Sequence, residues 1–140
     1  VSTIQDIERK LGLARGSYRR FIGPALFAAG NKVQVDAQIS ITEGAVSGEN
    51  HVPSRPGEPP NNDTGVLANN IETVSVSPLK VEVSSNAPYS QKLEFGGHNS
   101  NGSFVAARPF MAPAANKNRK RAQRFVQAAL RAAIRASMRG

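Results

Sequence analysis

The chain has 140 residues, 39% of them hydrophobic, with six Phe, two Tyr and no Trp; at roughly 150 residues per domain this is a single domain with a thin aliphatic core, not a multi-domain enzyme. It has no cysteine, which excludes a disulfide framework, a thiolate metal site and a cysteine nucleophile. The net charge of +8 is polarised: residues 1–94 carry nine Lys/Arg against ten Asp/Glu, while residues 95–140 carry nine Lys/Arg and no acid, so the last third is expected to face an acidic surface.

At the start, Thr3 and Asp6 read as a helix cap, a hydroxyl acceptor followed by a carboxylate at the positive end of the dipole. Ile4, Ile7 and Leu11 share one face, Gly12 and Gly16 are expected to end this short helix within an arm of residues 1–20, and Pro24 suits the first turn of a second helix. The run Phe21–Ala29 is broken by Gly23 and Pro24, far short of the roughly 20 residues of a membrane span. The first ten residues lack the basic start and apolar stretch of a signal peptide, so a soluble protein made in the cytoplasm is expected.

From Lys32 to Thr42 apolar and polar residues alternate without exception, which favours a strand. Yet Ile22, Leu26, Ala29, Val33, Ala37 and Ile41 also fall at spacings of three and four, and both readings stand at this point. Residues 44–65 contain Pro53, Pro56, Pro59 and Pro60 with Arg55 and Glu58 among them. This long loop is too stiff for a floppy linker and is expected to act as a partner-binding arm.

Ile71–Val76 and Leu79–Ser84 read as a hairpin with its turn at Ser77-Pro78. A helical turn over Tyr89–Phe95, a loop over Gly96–Ser103 and a strand from Phe104 to Met111 closed by Pro113 should follow, before a helix over 114–138. On that helix Lys117, Lys120, Arg124, Arg131 and Arg135 fall within roughly 60°. Val126, Ala129, Leu130, Ala133 and Ile134 occupy the opposite half, expected to face the sheet.

Constellations that carry chemistry are missing. His51 and His98 lie in different loops without a ligand spacing. Glu49, Glu58 and Asp63 have no apolar surroundings to separate their pKa values. Ser47 stands one position late for a nucleophile elbow, and the glycine-rich stretch Phe95–Gly102 lacks the Lys-Ser/Thr of a phosphate loop. No enzyme activity and no cofactor or metal are expected. The basic cluster Lys117–Arg121 with Arg124 could hold phosphates, but the stripe carries no Asn or Gln for base edges and no aromatic platform. A solvated or protein-facing stripe is the plainer reading.

Four segments occur in an order that resembles a known family: Thr64-Gly65-x-Leu67-x-x-Asn70-Ile71, Ala87-Pro88-Tyr89, Leu93-Glu94-Phe95-Gly96, and Ala107-Arg108-Pro109-Phe110-Met111-x-Pro113-Ala114 before a terminal helix. They are similar to the head-tail joining and tail-completion proteins of tailed bacteriophages, the lambdoid gene-ten-like morphogenesis family, with Pro53–Pro60 resembling the form the family takes in some phages. Two departures stand out: Gly97 where the family usually has Thr, and Asn70 where Ser is common.

The resemblance implies an α+β subunit, a small antiparallel sheet with a long helix before it and a helix after it. It implies that residues 32–42 continue the helix begun near Pro24. It further implies a structural virion protein in a homo-oligomeric ring, a hexamer, at the neck or upper tail, contacting neck and tail-tube or terminator proteins, with no membrane and no specific nucleic-acid sequence. The alternative function is a small basic DNA-binding protein using its C-terminal helix. Within the matched segments Gly65 is expected at positive φ, and Pro109 and Pro113 should set the approach to the last helix. Tyr89, Phe95 and Phe110 should pack between sheet and helix, and Glu94 and Arg108 should form an ion pair.

Overall fold

The computed structural model describes residues 3–43, 53–60 and 65–139, with the backbone alone for residues 7, 8, 10, 11 and 13–15. The expectations placed on Ser47, Glu49, His51, Asp63 and Thr64, and on the side chains of Ile7 and Leu11, lie outside the described residues. The architecture is α+β: a long helix α1 (Ile4–Thr42), a short helix α2 (Val66–Asn69), a two-stranded hairpin β1 (Ile71–Ser77) and β2 (Lys80–Ser85), helix α3 (Ser90–Phe95), a second two-stranded sheet β3 (Gly97–His98) and β4 (Phe104–Val105), and the C-terminal helix α4 (Met111–Arg139). Two compact units divide the chain, one of residues 1–30, 74–82 and 119–140, the other of residues 31–73 and 83–118.

Helix α1 opens as expected. The Thr3 hydroxyl accepts from the Asp6 N–H at 3.2 Å while the Asp6 carboxylate accepts from the Thr3 N–H at 3.2 Å, a reciprocal cap that satisfies two free donors. The expected break at Gly12 and Gly16 does not occur, and Pro24 lies inside the helix. A glycine in mid-helix costs only about 1 kcal/mol, and ending there would need the left-handed turn that neither residue adopts. Gly23, just before the proline, lacks the Cβ that would otherwise lie 3.0 Å from the Pro78 carbonyl at the hairpin turn.

Residues 32–42 are helical, so the strand favoured by alternation is corrected. Burial gives the reason. Ala37 and Ile41 are fully buried, whereas Val35 and Ile39, which a strand would place on the same face, are exposed. The spacing of four is the one that reaches the core.

In the unit of residues 31–73 and 83–118, Ala37 and Ile41 of α1 cluster with Leu67, Ala68, Ile71, Ala87, Phe110 and Ala114. Two polar contacts fix α1 in this unit. Gln38 Nε2 donates to the Ala68 carbonyl at 3.0 Å, and the Thr73 hydroxyl donates to Gln34 Oε1 at 2.7 Å. The hairpin turn is Pro78-Leu79, one residue later than read, and Pro78 sits at the turn position that its fixed φ favours. In the other unit the buried residues among those described are Ala29 and Ala133, both small.

The strand expected over Phe104–Met111 shrinks to Phe104–Val105, paired antiparallel with Gly97–His98 inside what had read as loop. Beyond Val105 the chain leaves the ladder, because the Arg108 N–H donates to the Leu93 carbonyl at 2.6 Å instead. Helix α4 therefore starts at Met111, with Pro113 in its first turn, not at Ala114.

Candidate functional site

The matched segments meet around the start of α4. Both oxygens of Glu94, at the end of α3, face its first turn: Oε2 accepts from the N–H of Phe110 at 2.9 Å and of Met111 at 3.0 Å, and Oε1 accepts from Ala112 at 2.8 Å. A helix leaves its first four N–H groups without intrahelical partners. Pro113 has none to offer, so one carboxylate closes this end completely and places its charge at the positive end of the dipole.

The ion pair expected between Glu94 and Arg108 is thereby replaced by two separate contacts. Arg108 directs its Nε to the Ser54 carbonyl at 3.2 Å, and the Gly57 N–H donates to the Ala107 carbonyl at 2.8 Å. The described part of the proline-rich segment, residues 53–60, thus lies against its own chain. Pro60 is buried and Pro59 half-buried, while Pro53, Arg55, Pro56 and Glu58 are exposed. Ser54 Oγ is buried without a partner.

Gly65 has φ +82°, the positive φ expected of it as a turn glycine in the matched segment. Gly96 has φ +71°, and a Cβ there would lie 2.8 Å from the Val105 carbonyl oxygen and 2.9 Å from the Ala107 nitrogen. Its hydrogen-only side lets α3 close onto the strand that follows.

Of the three aromatic residues expected between sheet and helix, only Phe110 is there, at 2% exposure. Phe95 is 76% exposed because α3 turns its Leu93 side to the core cluster and two steps of 100° carry Phe95 to the opposite face; Tyr89, at the N-cap of α3, is 43% exposed. Phe95 borders an open, largely apolar groove of about 450 Å³, walled by Val83, Phe110, Met111 and Ala115.

The basic residues of α4 keep their stripe, with Lys117, Lys120, Arg124, Arg131 and Arg135 all exposed. The apolar half fares less well than expected: Ala133 is buried and Val126 and Ala129 half-buried, but Leu130 and Ile134 are 39% and 41% exposed. Among the described residues no group of three His, Cys, Asp or Glu is placed to hold a metal ion, and no helix is long and apolar enough to cross a membrane.

One cluster was missed in the sequence. Asp36, its side chain 8% exposed, receives Lys32 Nζ at 3.2 Å and Asn118 Nδ2 at 2.7 Å. Asn118 is itself buried and also donates to the Ala114 carbonyl at 2.9 Å. The Asn118 hydrogen bond holds the Asp36 carboxyl below its ordinary value, with Lys32 and Lys117 adding to the effect against the opposing burial. The signal was the Lys32–Asp36 spacing of four, legible only once 32–42 is read as helix. Neither a protein family, nor a curated protein, nor a solved structure matches this chain.

Proposed function

We propose that this chain is a structural virion subunit of a tailed phage, working in an oligomeric ring, a hexamer, at the neck or upper tail. There it joins head to tail through contacts with neighbouring neck and tail-tube or terminator proteins. The reading rests on the sequence motifs, and one observation supports it: how the residues of those motifs divide. Leu67, Ile71 and Phe110 fill the core; Gly65 and Gly96 hold positive φ; Glu94 caps α4. Tyr89 and Phe95 do none of these things and stay exposed.

An aromatic side chain that neither packs nor shapes its own subunit, set beside an apolar groove, suits burial against another protein. A ring built head to tail needs two different surfaces on each copy. The Phe95 groove and the exposed edge of residues 53–58 are the candidates. None of these assignments requires catalysis.

The test is electron microscopy of purified particles decorated with an antibody to this chain. Label at the junction of head and tail is the expected result; label confined to another part of the particle, or no label on intact particles, overturns the reading.

A further inference from the structure

Along α4, within the unit that holds residues 119–140, Lys120, Arg124, Arg131 and Arg135 are exposed on one side of an unbroken helix. Among the described residues none of the four is paired with a carboxylate. The helix itself contains no Asp or Glu. At 1.5 Å per residue the four cations span about 22 Å, spaced roughly 6 to 10 Å apart.

We infer that this stripe binds the phosphate backbone of duplex nucleic acid without reading its sequence. The geometry favours a linear polyanion over an acidic protein. A duplex carries one charge per roughly 1.7 Å of axis on two continuous strands, so a stripe of this length lies over dense, repeating negative charge in any register. A protein would have to present four carboxylates in matching register over the same length. A second copy of this chain is a poor complement: Asp6, Asp36, Glu72, Glu82 and Glu94 are engaged within their own chain, which leaves, among the described acids, the two carboxylates of Glu43 and Glu58 against four cations.

Three of the four groups are guanidinium, which grips phosphate oxygens in pairs. One exposed amide, Gln127, lies beside the stripe between Arg124 and Arg131, too few to read a sequence, so affinity comes chiefly from charge and counterion release. This inference does not depend on a place in the virion, and it is tested on the purified chain.

The experiment is fluorescence anisotropy of a labelled mixed-sequence duplex of about 30 base pairs, titrated with the full chain at several salt concentrations. Four phosphate contacts give a slope of log K against log salt of about −3.6, which is an affinity loss of about 150-fold between about 0.05 and 0.2 M salt. Arg124→Gln should flatten the slope by about 0.9. The quadruple Gln variant should remove most of it, with helix content by circular dichroism unchanged. Lys80→Gln, an equal loss of charge on the hairpin, should leave the slope as it was. No salt-dependent binding, an unchanged slope in the quadruple variant, a strong preference for one duplex sequence, or equal competition by poly-glutamate at matched charge each overturns the inference; the last would assign the stripe to an acidic protein.

Discussion

Single atoms decide the geometry around α4. At Gly96 any side chain meets backbone on two sides while φ is positive, so Gly96→Ala should lower stability by at least about 1 to 3 kcal/mol in denaturant unfolding. Glu94→Gln removes the charge and one acceptor from three donors and should cost about 1 to 2 kcal/mol by the same measurement. Asp36 carries a pH signature. Its folded carboxyl is held below the ordinary 3.8, first by Asn118, so its contribution is fully present above that value and is lost as pH falls through the lower, folded one. The stability difference between the wild type and Asp36→Asn should therefore be constant near neutrality and shrink as the pH drops below about 4. A difference that grew in acid would refute the assignment.

The elements show where sequence reasoning reached and where it stopped. Hairpin, α3 and α4 were legible because their apolar periods and turn residues are local. Helix α1 was legible only in pieces: Gly12 and Gly16 read as local stop signals and Pro24 as a local start, and the helix runs through all three. Residues 32–42 satisfy both periods, and burial of Ala37 and Ile41 beside Phe110, far along the chain, decides between them. The cap of α4 was illegible for the same reason, since Glu94 reaches its donors from another element. If the glycines of α1 are only tolerated, replacing them should help. Nothing lies within 4 Å of a Cβ built on Gly12 or Gly16, so Gly12→Ala and Gly16→Ala should each stabilise the helix by about 0.5 to 1 kcal/mol. Amide hydrogen exchange across residues 4–20 would register it as slower opening.

For the whole molecule, the proposed ring assembly makes a prediction at Phe95. Phe95→Asp should leave the monomer folded, because that side chain is 76% exposed, yet block its incorporation into particles; normal incorporation would remove Phe95 from the interface. The core cluster carries a consequence for synthesis. It joins Ala37 and Ile41 to Phe110 and Ala114, so most of the chain must leave the ribosome before the first of these partners meets the second. Until then the apolar stripe of α1 has Leu67, Ala68, Ile71 and Ala87 beside it but not Phe110 or Ala114, and contacts so distant in sequence form slowly. A chain ended at Pro109 should accordingly stay unfolded by near-ultraviolet circular dichroism and be degraded in the cell, however well its first helix forms.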